Sequence, residues 1–246
     1  MSPSPDDAVR HFRARFEAGG APARAVSEKT YMKSALRFHG VDAKQIHAEC
    51  ASFCKEHRDL DRESLRAVVS ALYATDWFDL RTAGIALLER KVRLLEASDA
   101  AWLVDLARAS PCWAHVDFLS TKVIDPLIQA NPRLLGKMRV WAKDRDFWVR
   151  RVALLGQLGP LRRGAGDFAL FAAIAGPMLD EKEFFIQKAI GWVLREVSKK
   201  RPALVRDFLV PHAARASTVT WREATKYLPA AMKREVERAR LFGRGL

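Results

Sequence analysis

Asp76-Trp77-Phe78-Asp79-Leu80-Arg81-Thr82-Ala83 reads acid, aromatic, aromatic, two residues, Arg, one residue, Ala, and then runs into an apolar helix. Asp146-Phe147-Trp148-Val149-Arg150-Arg151-Val152-Ala153 reads the same way. Glu183-Phe184-Phe185-Ile186-Gln187-Lys188-Ala189-Ile190 is a looser third copy. Their acidic positions lie 70 and then 37 residues apart. Seventy is two units of about 35, which places a diverged unit near residue 111, containing Trp113. One further step arrives at Trp221-Arg222-Glu223-Ala224-Thr225. A helical period in the high thirties suits stacked helix pairs of the HEAT-like kind. The expected architecture is therefore all-α: a HEAT-like helical-repeat solenoid, curved, with a concave basic face. Stacked pairs share one continuous core, so residues 1–246 are expected to form a single domain, ordered over about 7–240.

The rest of the chain fits that reading. Strand signals are nearly absent, while helical spacing recurs: Leu65, Val68, Val69 and Leu72 follow i, i+3, i+4, i+7. Stops fall at Gly19-Gly20, Gly40, Ser110-Pro111, Asn131-Pro132, Gly159-Pro160, Gly164 to Gly166 and Arg201-Pro202. They divide the chain into roughly 12–14 helices. Pro126 sits inside an otherwise helical run from Trp113 to Ala130, where it kinks or starts a helix. The stretch Arg162 to Gly166 reads as the most flexible internal loop, and the tail from Phe242 as frayed.

Composition limits the partners. Forty-two Lys and Arg stand against 29 Asp and Glu, a formal charge of +13, and 49% of residues are hydrophobic. That is ample for a packed core and excludes bulk disorder. The charge points to an acidic polymer, nucleic acid before an anionic membrane surface. No apolar run reaches 18 residues, the start Met1-Ser2-Pro3 lacks a signal-peptide pattern, and three cysteines make no disulfide framework. A reducing cytoplasm is the expected compartment. Lys137, Arg139, Lys143, Arg145, Arg150, Arg151, Arg162 and Arg163 form the densest basic cluster, which suits a long electrostatic track more than one pocket.

Candidate chemistry is sparse. Trp113 and Asp117 share a helix face four residues apart, so an indole and a carboxylate together can hold a cation; core packing and capping are the plain alternative. Arg150 and Arg151 suit either a phosphate contact or a bond to a neighbouring repeat. Gly191, before Trp192, costs about 1 kcal/mol in a helix, which a close approach of backbone or ligand explains; Trp192 itself reads as core or contact. His47, Cys50, Cys54 and His57 resemble a metal set, but ten residues of helix separate the histidines by about 15 Å, so no metal site is expected. Nucleotide-loop, nucleophile-elbow and zinc-protease motifs are missing, and no cofactor is expected.

Lys182-Glu-Phe-Phe-Ile-Gln-Lys-Ala-Ile-Gly-Trp-Val-Leu-Arg-Glu196 resembles the hallmark segment of the AlkD-type DNA glycosylases, HEAT-like bacterial proteins that release alkylated purines from DNA. Tyr31-Met32-Lys33, Phe38-His39-Gly40-Val41, Trp113-Ala114-His115-Val116-Asp117 and Phe147-Trp148-Val149-Arg150-Arg151 extend the likeness in order from about residue 7 to about 235. The resemblance implies that Asp117 is the catalytic carboxylate, that Trp113 and Trp192 contact the lesion's deoxyribose, and that Arg151 holds its phosphate. It implies further DNA contacts by Tyr31, Lys33, Arg150, Lys188 and Arg195. Cys112, Ala114 and His115 depart from the pattern, standing where the family has an aromatic, an acidic and a small polar residue. The implied partner is double-stranded DNA carrying alkylated purines, bound by a monomer. Two other classes fit a basic helical repeat: a non-catalytic DNA-structure binder and a protein-interaction scaffold. Retention of all four site residues favours the enzyme over the first, and the +13 charge disfavours the second.

Overall fold

A computed structural model of the chain describes residues 3–243. Among these the fold is helical throughout; the one extended pairing is a parallel bridge between Arg37 and Trp77. The contacts group the chain into two compact units, Met1–Leu127 and Ile128–Leu246.

The first unit contains α1 (Pro5–Gly19), α2 (Pro22–Met32), α3 (Ala43–Glu56), α4 (Arg62–Tyr73), α5 (Phe78–Arg90), α6 (Ala100–Arg108) and α7 (Trp113–Leu119). Their starts follow from the sequence. Ser4 accepts from the Asp7 N–H with Pro5 opening α1, Asp42 and Gln45 form a reciprocal capping box at α3, and Asp61 caps α4 through Ser64 N–H. Leu65, Val68, Val69 and Leu72 are fully buried, so the period seen along α4 is its core face. Phe12, Phe16 and Phe53 fill the space between α1 and α3, with ring centroids 5.0 to 5.7 Å apart. Removing a ring of that size from a core costs about 3–5 kcal/mol.

Pro126 opens a helix, as the second residue of a short separate segment, rather than kinking a longer one. A π-helical turn over Ser120–Ile124 joins α7 to α8 (Asp125–Ala130), with the Asp125 N–H donating to the Ser120 carbonyl five residues back. The wider turn absorbs the N–H that proline lacks.

The second unit follows with α9 (Leu135–Trp141), α10 (Phe147–Leu155), α11 (Leu158–Arg162), α12 (Phe168–Ala175), α13 (Phe184–Ser198), α14 (Pro202–Leu209), α15 (Thr218–Ala224) and α16 (Ala230–Phe242). Sixteen α-helical segments among the described residues exceed the twelve to fourteen expected. The π turn divides one run in two, and Gly159-Pro160 lies within a short helix rather than between helices. The loop after α11 is a tied turn, not a loose one. Gly164 and Gly166 take φ of 85° and 72°, the Ala165 N–H donates to Pro160 O at 2.9 Å, and Arg201 donates to Ala165 O. Phe242, where the tail was expected to start fraying, instead closes α16, and residues 244–246 of that tail lie outside the described residues.

The repeat is visible in where helices begin. α5, α7, α10, α13 and α15 start at residues 78, 113, 147, 184 and 218. It is equally visible in the side-chain bonds, which recur at offsets of one unit: 35 for Lys188 to Glu223, 37 for Arg62 to Asp99, 37 for Tyr73 to Ser110 and 34 for Arg162 to Glu196. The register differs by one residue from the sequence comparison. Trp77, Asp146 and Glu183 are the equivalent caps, not Asp76, Asp146 and Glu183. Arg81 bonds Thr75 O, Arg150 bonds Asp144 O and Gln187 bonds Glu181 O, each reaching back six residues to the loop before its own helix, at 2.8 Å. Arg81 therefore corresponds to Arg150, and Asp117 stands in the position of Thr82, Arg151 and Lys188.

Candidate active site

Trp113 is the first residue of α7, after an extended Cys112 whose side chain makes no capping bond. The indole is half-buried and meets the Tyr31 ring edge to face, with centroids 5.9 Å apart at 78°. Tyr31 comes from the end of α2 and is 70% exposed. Lys33 caps α2 in the left-handed region, at φ 50° and ψ 40°, and is exposed. A lysine there costs about 1–2 kcal/mol of backbone strain, and the kink separates it from α2. Leu36, Phe78 and Cys112 form a small buried cluster under these residues, and Met32, Phe38, Trp113 and Ala114 pack on it. Asp117 follows Trp113 by one turn on the same face, half-buried, and its main-chain carbonyl accepts from the Thr121 hydroxyl at 2.7 Å. The first unit thus brings Tyr31, Trp113 and Asp117 to one place, an aromatic pair beside a carboxylate.

The departures from the family pattern point inward. Burial pushes the Cys112 thiol up, against the pull of the Ala114 and His115 N–H groups, so it is a poor nucleophile. His115 is 1% exposed, and burial lowers its pKa to about 3. Its Nε2 lies 3.2 Å from Phe78 O and 3.1 Å from the Thr82 hydroxyl, not on Cys112. These two residues form no nucleophile–base pair.

In the second unit, Asp146 caps α10 by accepting from the Trp148 N–H at 2.7 Å. Arg150 grips Glu181 through two nitrogens, at 3.0 and 2.7 Å, and gives Nη1 to the carbonyls of Asp144 and Arg145. Four of its five N–H donors are committed within the protein. Arg151 is 2% exposed, donates to Phe185 O and lies 5.9 Å from the Phe185 ring. A buried guanidinium held this way is already oriented. On α13, Lys188 and Arg195 both bind Glu223 of α15, the lysine at 2.5 Å. Arg195 also lies 3.5 Å from Glu196. These carboxylates are held below their ordinary range, by hydrogen bonds from Lys188 and Lys199 respectively and by the neighbouring cations, although burial opposes this.

Gly191 has the packing role its cost demanded. A Cβ there would stand 2.7 Å from Glu223 Cβ and 3.2 Å from Thr220 Cα, so the glycine admits α15 against α13. Trp192, next along, is half-buried. Elsewhere, Cys50 Sγ donates to Ala83 O at 3.5 Å in the core, and His47 faces Glu89 at 3.9 Å. The sequence reading missed Glu181 and Glu223. Glu223 had a signal, its offset of 35 residues, one repeat unit, from Lys188; Glu181 stands 31 residues from Arg150, short of a unit, and had none.

A basic helical-repeat protein with an indole–carboxylate pair at a helix start is the class these features define. The chain belongs to the family described as DNA alkylation repair enzyme, whose model matches residues 12–228. A solved structure from Enterococcus faecalis, described as a predicted DNA alkylation repair enzyme, is similar at 26% identity and a TM-score of 0.77, covering 86% of this chain and 97% of that one. AlkD2 from Streptococcus mutans is similar at 16% identity and a TM-score of 0.61, over 85% of this chain and 100% of that one. A second S. mutans structure, smu.31, gives 16% and 0.60 over 87% and 100%. The last two bear on the fold alone. No curated protein matches the chain. No helix among the described residues is long and apolar enough to cross a membrane.

Proposed function

We propose that the chain is a monofunctional DNA glycosylase that hydrolyses the N-glycosidic bond of N3- or N7-alkylated purines in duplex DNA and leaves an abasic site. The observation that carries this reading is the half-buried Trp113–Asp117 pair, with Tyr31 against the indole, in a member of the alkylation-repair family. A purine alkylated at N3 or N7 is positively charged, so it leaves as a neutral base without a strong general acid. The bond from C1′ to nitrogen breaks, its electron pair goes to the base, and the sugar gains oxocarbenium character. Asp117 supplies negative charge beside that cation and orients the water that adds to C1′, serving as the nearby base for the proton the water gives up. Trp113 and Trp192 pack on the deoxyribose and stabilise positive charge through their ring faces. Arg151, buried and fixed by the Phe185 carbonyl, supplies the positive charge for the phosphate. Tyr31, Lys33, Lys188 and Arg195 add contacts to the DNA, whereas Arg150, gripped by Glu181, acts by holding the start of α10. The protein works as a monomer in the bacterial cytoplasm or nucleoid. The second reading, a DNA binder without chemistry, shares the basic charge but leaves the exposed Tyr31 and the pair it meets without a purpose.

The test is base release from duplex DNA containing N7-methylguanine, with N3-methyladenine as a second substrate. Wild type is expected to release base, and Asp117→Asn to lose about 10²-fold or more in rate while binding DNA normally. Release by the variant at the wild-type rate refutes the role of Asp117. Binding without release of either base by wild type makes the protein a DNA binder.

A further inference from the structure

We infer that His115 is a positioning residue for Trp113 and Asp117: its ring closes a stack with Phe78 and Phe38, and its single N–H fixes the rotation and height of α7 on α5. This rests on the glycosylase reading and adds a residue to it. His115 lies about 160° around α7 from both Trp113 and Asp117, so it anchors the helix from the side opposite the pair. Phe38 and Phe78 stack at 4.5 Å and 17°, and Phe78 and His115 at 4.4 Å and 28°. The Thr82 hydroxyl donates to Phe78 O at 2.8 Å, so its oxygen is left to accept. The hydrogen of His115 therefore sits on Nε2, shared between Thr82 and Phe78 O, and Nδ1 has no hydrogen-bond partner. Phe78 is itself tied down, its N–H donating to Arg37 O at 2.8 Å and its ring lying in the cluster on which Trp113 rests. A turn of α7 that moved the pair would have to break the N–H contact and unstack the rings together.

A phenylalanine at this position keeps the stack and loses the bond. A glutamine keeps a donor at the place of Nε2 and loses the stack. Single-turnover base release, DNA affinity and the ¹⁹F spectrum of protein labelled with 5-fluorotryptophan separate the cases, the Trp113 resonance being assigned with Trp113→Phe. His115→Phe is expected to release base about tenfold more slowly, with Kd within about twofold of wild type and a shifted or broadened Trp113 resonance. His115→Gln is expected to recover the rate to within about threefold and to restore the resonance. Should His115→Phe not fold, Thr82→Val removes the accepting hydroxyl and is expected to slow release and move the same resonance.

A wild-type rate and resonance in the variant that removes the bond overturns the inference. So does a loss of rate matched by an equal loss of affinity, which is what general loosening produces. If wild type releases no base, the glycosylase reading fails instead and the ¹⁹F spectrum alone decides. A Trp113 shift in His115→Phe that His115→Gln reverses upholds the anchor, and no shift in either overturns it.

Discussion

His115 is a titratable group that the fold keeps uncharged, and this leaves a mark on stability. The unfolded chain protonates it near 6.5, whereas the folded protein holds its pKa down to about 3, chiefly through burial. Its folded-state pKa is depressed, so its contribution is complete above about pH 6.5 and is lost as pH falls from there towards 3. The limiting rate is about 1.4 kcal/mol per pH unit. Urea unfolding at pH 7.0 and 5.0 measures it. Wild type is expected to lose about 2 kcal/mol from this group over that interval, and His115→Gln to lose correspondingly less, whatever its stability at pH 7.0. Equal losses in the two proteins mean that the imidazole takes up its proton while folded. Arg151 makes the complementary point. Its charge in the sequence suited either a phosphate contact or a bond to a neighbouring repeat, and it is 2% exposed, with a main-chain carbonyl and the Phe185 ring among its partners. Charge alone does not reveal burial, because a guanidinium can be buried wherever a neighbouring repeat supplies acceptors.

At the level of helices, much of the architecture was legible and its register was not. Trp113 to Ala130 read as one helical run disturbed at Pro126, and the structure resolves the disturbance as a π turn. The repeats read correctly as units of about 35 residues, because aromatic residues open α5, α7, α10 and α13 and apolar spacing follows. The one-residue error came from matching Asp76 to Asp146. An acidic residue just before a helix is either the cap or the residue before it, and only the bonds from Arg81, Arg150 and Gln187 to carbonyls six residues back separate the two. Gly191 was legible as an anomaly but not as a contact, since the approaching partner, Glu223 on α15, is 32 residues away in sequence. Its role makes a prediction. Gly191→Ala places a Cβ 2.7 Å from Glu223 Cβ. Alanine favours an isolated helix by about 1 kcal/mol, but overpacking costs about 1–3 kcal/mol, so the steric effect outweighs propensity. The variant is expected to unfold at lower denaturant than wild type. It should also bind DNA differently, because Glu223 carries both Lys188 and Arg195. A stability equal to or above that of wild type shows that α15 moves aside without cost.

Over the whole chain, the balance of charge can be followed from sequence to binding. Many cations are committed internally: Arg62 and Arg66 to Asp99, Arg150 to Glu181, Arg162 to Glu196, Lys188 and Arg195 to Glu223, Arg215 to Asp180. Yet 42 basic residues cannot be neutralised by 29 acidic ones, and even complete pairing leaves the surplus of 13 positive charges. Exposed pairs contribute little to stability, so the surplus is better explained by a polyanionic partner than by the fold. Each phosphate neutralised on duplex DNA releases condensed counterions and contributes about −0.9 to the slope of log K against log[salt]. If a third to a half of the surplus meets phosphates, the slope is about −4 to −6. Between 50 and 200 mM salt, affinity for undamaged duplex is then expected to fall by roughly 250- to 4,000-fold. The measurement is a fluorescence-anisotropy titration of a labelled duplex at four or five salt concentrations. The same titration on Lys33→Ala separates a contact from a bystander, because loss of one phosphate contact flattens the slope by about 0.9, whereas loss of a distant charge lowers affinity slightly without changing it. A wild-type slope shallower than about −2 leaves most of the surplus without a phosphate to meet, and the basic charge then serves a partner other than duplex DNA.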